Sequence, residues 1–220
     1  MRIKLLVLCL VISKMATAQG PSDAATVNNG IEYVTPITGN VFENKHPFYQ
    51  SDHFSEGEIT YFGRHYTHIL LKYDLSLDRV VTLYADGRTE IILYPEQIDS
   101  FTVYDQTFVK LPDSLGLPKG FYARILTAPE YTYYVRYTKS ISHQVYMDGA
   151  FYDVVHDHHY DYIKVDNAFH SFKSLKDLSE LLNVNKKQTK IFQRNNPLES
   201  DDALASTARY REYCMNVARF

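Results

Sequence analysis

The sequence predicts an α+β protein in which a mainly antiparallel β body precedes a small C-terminal helical bundle. The chain of 220 residues contains 19 Tyr and 12 Phe but no Trp, and aromatic side chains favour the pleated, half-buried surface of a sheet. Between residues 57 and 172, short β-rich runs alternate with turn residues, as in an antiparallel meander. From Ser174 onward the apolar residues recur at helical spacing instead of alternating.

The first 18 residues have the features of a signal peptide. Met1 to Lys4 is positively charged, residues 5–13 form a short apolar run, and Ala16-Thr17-Ala18 supplies the small residues of a cleavage site. We therefore expect an exported protein, periplasmic or extracellular, whose mature chain begins at Gln19. No later stretch approaches the roughly 20 apolar residues of a transmembrane helix, so we expect no transmembrane segment in the mature chain.

Charge and cysteine content narrow the function classes. After loss of the leader, 20 basic residues face 26 acidic ones, so the net charge falls from −3 to −6. Such a chain lacks the basic surface that nucleic acid requires, and we expect no nucleic-acid partner. Cys214 is the one cysteine left, which excludes an intramolecular disulfide. We expect it to be a small buried residue of the last helix.

The mature chain divides into three parts. Residues 19–55 are interrupted by proline and glycine and are predicted to be an extended lead-in with one strand, 31–35. Residues 56–172 form the β body, a meander, a sandwich or a partly closed barrel of roughly ten strands. The strands predicted in it are 58–62, 67–73, 79–84, 89–93, 99–104, 121–126, 131–138, 144–147, 151–155, 160–165 and 168–172.

Two Asp-Gly pairs separate β-rich runs in this body. They are Asp86-Gly87 and Asp148-Gly149. Asp and Gly both adopt positive φ readily, and a pair of such residues between two apolar runs is a strong hairpin signal. Each pair therefore predicts a hairpin turn.

Residues 173–220 are predicted to form helices packed on the β body. Ser174 is the expected N-cap of the first helix, because leucines recur at helical spacing after it. A second helix is predicted over 186–194, around Ile191. A third presents an apolar face made of Tyr210, Tyr213, Cys214 and Val217.

Several apolar and turn patterns extend from Gly57 into the C-terminal tail. They are Gly57-Glu58-Ile59, Leu71-Lys72-Tyr73-Asp74, Asp86-Gly87, Ile98-Asp99-Ser100-Phe101, Gly120-Phe121-Tyr122, Ser174-Leu175-Lys176-Asp177-Leu178 and Lys190-Ile191-Phe192. In these patterns the chain resembles a family of uncharacterised secreted proteins from Bacteroidetes-type bacteria. The resemblance implies export, a β-rich body and a helical end, and it implies no particular activity.

A histidine-rich stretch, residues 156–161, is the candidate metal site. On a strand, His156 and His158 share one face, while His159 lies on the other face with two aspartates. Imidazole and carboxylate groups are ligands of transition metals. The stretch therefore supports an alternative function, an extracytoplasmic metal-dependent hydrolase that uses His156, His158 and His159. The competing interpretation is a polar loop between two strands.

A tyrosine-rich strand, 131–138, is the candidate ligand-binding surface. Tyr131, Tyr133 and Tyr137 fall on one face of it. Tyrosine combines an apolar ring with a hydrogen-bonding tip, which suits a sugar ring or a peptide. The alternative is that this face packs on the helical tail.

No motif of a known catalytic type is present. The sequence lacks a Gly-x-Ser-x-Gly elbow, a phosphate-binding loop and a Gly-x-Gly-x-x-Gly fingerprint. We therefore expect an exported non-enzymatic binding or interaction protein with no catalytic residues and no cofactor. Its expected partner is a protein or a saccharide of the cell envelope. A structural component of the envelope is a further alternative.

Overall fold

The computed structural model describes residues 27–147, 149–198 and 202–216. Some of the sequence predictions fall outside these ranges. They are the signal peptide, the start of the lead-in, Asp148 of the second Asp-Gly pair, and Val217.

Within these ranges the chain forms twelve strands and three α-helices. The strands are β1 (Gly30–Glu32), β2 (Asn40–Val41), β3 (Ser55–Tyr61), β4 (Arg64–Asp74), β5 (Arg79–Leu83), β6 (Glu90–Leu93), β7 (Ile98–Val103), β8 (Gln106–Lys110), β9 (Phe121–Thr127), β10 (Tyr131–Val145), β11 (Phe151–Val165) and β12 (Ala168–Phe172). The helices are α1 (Leu175–Leu181), α2 (Lys186–Asn195) and α3 (Ala203–Asn216). Three short 3-10 segments are Phe42–Asn44, Pro95–Gln97 and Asp113–Leu115.

The strands form one open sheet, and the predicted α+β fold class is confirmed. The order across the sheet is β1-β6-β5-β4-β3-β7-β8-β9-β10-β11-β12, with β2 beside β11. Neighbouring strands are antiparallel, except that β2 runs parallel to β11. The sheet therefore consists of two meanders, β3 to β6 and β7 to β12, joined by the pairing of β3 with β7, and its two ends are β1 and β12.

Turns at positive φ connect several hairpins. At the predicted turn, Gly87 N donates to Tyr84 O at 2.9 Å, and the Asp86 carboxylate accepts from Arg88 N at 2.9 Å. Between β7 and β8 the turn is Tyr104-Asp105, where both residues have positive φ. That turn contains no glycine, which explains why strand β8 was missing from the predicted strands.

The longest strands, β10 and β11, correct the predicted boundaries. Each has 15 residues, and they pair from Tyr131 and Val165 to Val145 and Phe151. The predicted strands 131–138 and 144–147 are therefore one strand, and the stretch 156–161 is part of a strand and not a loop. Serine hydroxyls of β10 are the hydrogen-bond partners of two histidines of β11. Ser140 Oγ lies 3.0 Å from His158 Nε2, and Ser142 Oγ lies 3.0 Å from His156 Nε2.

The helices begin and pack largely as the sequence predicts. Ser174 is the N-cap of α1, and its hydroxyl accepts from Asp177 N at 3.1 Å. α2 confirms the helix predicted over 186–194, and within it Phe192 is buried while Ile191 is 48% exposed. Leu175, Leu178, Tyr213 and Cys214 join the same apolar core as the sheet.

The N-terminal segment, residues 27–54, crosses from one end of the sheet to the other. Near β1, Tyr33 OH donates to Asp74 Oδ2 at 2.8 Å. Near β11, Thr38 N and Gly39 N donate to Asp153 Oδ2 at 2.8 and 3.1 Å. The predicted lead-in is thus extended, and two buried carboxylates hold it on the sheet.

Replacing Asp153 with Asn should loosen the N-terminal segment. The substitution removes the charge that strengthens the bonds from Thr38 N and Gly39 N, and hydrogen bonds to charged groups contribute about 1.5–3 kcal/mol. Hydrogen exchange followed by mass spectrometry should show faster exchange of peptides covering 38–41. Asp99→Asn, an exposed aspartate of β7, is the control. Equal exchange in the two variants would contradict the assignment.

The same contact predicts a pH dependence. Hydrogen bonds from Thr38 N, His143 and Gly39 N lower the pKa of Asp153 below the ordinary value. A carboxylate with a lowered folded-state pKa stabilises the fold above its unfolded-state pKa, and this stabilisation is lost as the pH falls through the folded-state value. Protection of residues 38–41 should therefore decline on acidification in the wild type and change less in Asp153→Asn.

Candidate functional site

The three tyrosines of the predicted ligand surface lie beneath the helices. Tyr131, Tyr133 and Tyr137 are 5%, 0% and 5% exposed. Tyr131 OH donates to Cys214 O at 2.9 Å, and Tyr137 OH lies 3.0 Å from Thr207 Oγ1. This face of β10 therefore packs on α3, and a ligand-binding role for the three residues stays a prediction.

Tyr133 belongs to a buried polar group with Asp161. Its hydroxyl donates to Asp161 Oδ1 at 2.6 Å, and Asp161 Oδ2 lies 3.5 Å from His159 Nε2. Burial raises the pKa of Asp161 above the ordinary value, although the bond from Tyr133 and the nearby His159 oppose that shift. Burial also raises the pKa of Tyr133 well above its usual range. The tyrosine hydroxyl thus stays protonated and solvates the buried carboxyl group.

The histidines lie on two faces of β11, as the alternation predicts. His156 and His158 are exposed, each beside a serine of β10, whereas His159 is on the helical side next to Asp161. Among residues 27–147, 149–198 and 202–216, no three His, Cys, Asp or Glu side chains are grouped so as to hold a metal ion. A metal site at His156, His158 and His159 stays a prediction.

The opposite surface of strands β9–β12, which we call the outer face, presents a different set of side chains. One row across it is Arg124, Tyr134, Tyr162 and Ser171, which are register partners on the four strands. One adjacent row contains the register partners Thr132, Lys164 and Phe169. The other contains the partners Arg136 and Tyr160, and Tyr122 lies two positions before Arg124 on β9. All of these positions alternate with the buried residues beneath the helices.

Aromatic rings dominate the outer face. Tyr134 and Phe169 have ring centroids 5.6 Å apart with planes tilted by 38°. Tyr122 and Tyr162 are also 5.6 Å apart, in an edge-to-face arrangement. Tyr160 is 49% exposed. Tyr134 and Phe169 are half-buried, whereas Tyr122 and Tyr162 are only 1% and 8% exposed. The rings that solvent reaches are therefore those of Tyr134, Tyr160 and Phe169.

A loop covers one side of this surface and leaves the other open. Tyr122 OH donates to Pro118 O at 2.6 Å, and the Arg136 guanidinium donates to Lys119 O at 2.9 Å. At the other side, the turns between β9 and β10 and between β11 and β12 border a cleft of about 370 Å³. Its lining includes Thr132, Lys164, Glu130, Asp166 and Asn167.

The acidic side chains of strands β9–β12 lie on one face of the sheet, and most of the basic ones lie on the other. Asp153, Asp157 and Asp161 recur every four residues along β11, so all three lie on the helical side. The outer face carries Arg124, Arg136 and Lys164 and no acidic residue at its strand positions in β9–β12. A cationic, aromatic surface therefore exists on a chain whose net charge is −3.

Comparison with known proteins finds nothing similar. No protein-family model, curated protein or solved structure matches the chain. The resemblance to secreted Bacteroidetes-type proteins stays a prediction. Within the described residues, no helix combines the length and the apolar character needed to cross a membrane.

The sequence interpretation did not select the outer-face residues. It placed the ligand surface on the tyrosines of β10 that the helices cover, while Tyr134 lies in the same strand on the other face. The signal available was the alternation itself, which puts Thr132, Tyr134 and Arg136 together. The contributions of Arg124 and Phe169 come from neighbouring strands and depend on the register.

Replacing Tyr133 with Phe should destabilise the protein by about 1–3 kcal/mol at neutral pH, because the buried Asp161 carboxylate loses a donor. A carboxyl whose folded-state pKa is raised makes the folded state bind more protons, so stability increases as the pH falls through that pKa. The loss caused by Tyr133→Phe should therefore shrink on acidification. Urea unfolding at several pH values measures both effects.

Tyr134→Phe is the matched control for this substitution. The Tyr134 hydroxyl lies on the outer face, and a surface change of this kind alters stability by about 0.5 kcal/mol or less. Equal losses in the two variants would contradict the role assigned to the Tyr133–Asp161 hydrogen bond.

Cys214 should be unreactive in the folded protein. Its side chain is fully buried, and burial raises its pKa to about 12, so little thiolate forms. In a Cys9→Ser variant, where Cys214 is the sole thiol, the Ellman reagent should react slowly until urea unfolds the chain. Adding Ser171→Cys, at an exposed position of β12, gives a fast-reacting control. Reaction of Cys214 at the control rate would show that α3 does not stay packed on the sheet.

Proposed function

We propose that this chain is an exported, non-enzymatic binding protein whose outer face binds a saccharide. The observation that carries the proposal is the group of rings Tyr134, Tyr160 and Phe169 on the side of the sheet opposite α3, of which Tyr160 is exposed and the other two are half-buried. An aromatic ring offers an apolar face to the C–H groups of a sugar, and a tyrosine tip adds a hydrogen-bonding group. Thr132 and Ser171 supply hydroxyls beside the rings.

Rigid placement of the rings supports binding without rearrangement. Tyr134 is held between β9 and β11 by the hydrogen-bonded register of the sheet, and Phe169 is held by the pairing of β12 with β11. Lys164 on β11 lies between β10 and β12, where its register partners are Thr132 and Phe169. Its Nζ is 5.8 Å from the Phe169 ring centroid. A surface fixed in this way loses little conformational entropy when a ligand binds.

The alternatives have less support from the described residues. For a metal-dependent hydrolase, His156 and His158 lie on one face of β11 and His159 on the other, bonded to different partners. No feature of the described residues distinguishes a structural envelope component from a binding protein. Both stay predictions.

Native electrophoresis through gels that contain a polysaccharide tests the proposal. The panel is dextran, glucomannan, polygalacturonate and its methyl ester, and at least one polymer should retard the wild-type chain. The double variant Tyr134→Ala/Phe169→Ala should bind about thirtyfold more weakly, since ring contacts contribute about 1 kcal/mol each. Its fold is checked by thermal unfolding.

The control removes two exposed aromatic rings elsewhere. Tyr84 and Phe151 are 46% and 71% exposed and lie outside the outer face, so Tyr84→Ala/Phe151→Ala should bind as the wild type does. Absence of retardation by every polymer, or equal binding by the outer-face variant and the wild type, would overturn the proposal.

A further inference from the structure

The outer face carries positive charge beside its aromatic rings. Arg124 is the register partner of Tyr134, and Lys164 is diagonal to Tyr134 across β10 and β11, a separation of about 7–8 Å between Cα atoms. Two cations therefore lie on either side of one half-buried ring. This arrangement concerns the same surface as the proposed function, and the inference drawn from it rests on that proposal.

These two cations have no acidic partner within the described part of the chain. No ion pair of Arg124 or Lys164 occurs there, whereas Arg136, the third cation of the face, lies 4.0 Å from Asp78. Burial raises the pKa of the Tyr134 hydroxyl, and the positive charge of Arg124 opposes that shift. Positive charge is thus present beside the ring where a sugar would stack.

Acidic residues lie at the edges of the outer face and at none of its strand positions in β9–β12. Glu130 and Asp166 line the cleft at the turns, and Glu58 on β3 shares a separate groove with Arg124 and is 3.5 Å from His65. The strand positions between Arg124 and Lys164 are Tyr134 and Tyr162 in one row and Thr132 in the next. A negatively charged ligand therefore meets rings, hydroxyls and cations along this row.

We infer that the outer face binds an acidic saccharide, a polymer of uronic-acid type whose carboxylates pair with Arg124 and Lys164 while its rings stack on Tyr134 and Phe169. A guanidinium binds a carboxylate through two parallel hydrogen bonds. A net-negative chain repels polyanions elsewhere on its surface, so complementary charge on this face orients the ligand and sets specificity.

Polygalacturonate and its methyl ester distinguish charge from stacking, because they share a backbone and differ in the carboxylate. In native gels the wild-type chain should bind polygalacturonate at least about tenfold more tightly than the ester, as expected for two ion pairs of about 1 kcal/mol each. Added NaCl should weaken the first interaction and leave the second nearly unchanged.

The decisive variant is Arg124→Gln/Lys164→Gln. It should lose the preference for polygalacturonate and keep weak binding to the ester. Its control, Arg64→Gln/Arg88→Gln, removes the same charge at two exposed positions of other strands and turns and should retain the preference. Loss of the preference in the control as well would overturn the inference, because net charge would then explain the binding.

The remaining outcomes separate this inference from the proposed function. Equal binding of both polymers, unaffected by Arg124→Gln/Lys164→Gln but lost in Tyr134→Ala/Phe169→Ala, would overturn the acidic ligand and leave saccharide binding supported. Failure of the wild-type chain to bind any polymer would overturn both.

Discussion

The alternation of side chains along β10 is the constraint on which the rest of the structure depends. A strand sends successive side chains to opposite faces, so the pattern from Tyr131 to Thr138 divides one tyrosine-rich run into two surfaces. One set lies beneath α3 and is at most 5% exposed. The other reaches solvent and lies among the register partners of β9, β11 and β12. A shift of one residue would exchange the two surfaces and remove both the helical packing and the candidate site.

The buried tyrosines also determine how the helices sit on the sheet. A hydroxyl without a partner in the interior costs about 1–3 kcal/mol, so each of the three requires an acceptor at a defined place. α3 provides a backbone carbonyl and a threonine for two of them, and Asp161 serves the third. Because these bonds have direction, they restrict the sliding and rotation of α3 more than apolar packing alone. The outer face is therefore supported from behind by a layer with one preferred position.

Local signals allowed part of this to be predicted from the sequence. The Ser174 cap, the Asp86-Gly87 turn and the burial of Cys214 each depend on neighbours within a few residues, and the structure has all three. The continuity of β10 and β11 was not predictable, because the serines and histidines of their middle portions satisfy each other only across the strands. The choice between the two tyrosine faces was open for a similar reason. Both are aromatic, and only the position of α3 decides which one is covered.

The hydrogen bonds from Thr38 N and Gly39 N to Asp153 link two segments of the chain that are synthesised far apart in time. Thr38 and Asp153 are separated by 115 positions, so closing this contact carries the entropy loss of a long loop, and such non-local contacts form slowly. Residues 38–41 emerge early and cannot bond to Asp153 until β11 exists, although β1 can pair with β6 before that. Until then residues 38–41 would remain an unanchored extended stretch, accessible to chaperones and proteases, and their attachment to Asp153 would mark a late step of folding.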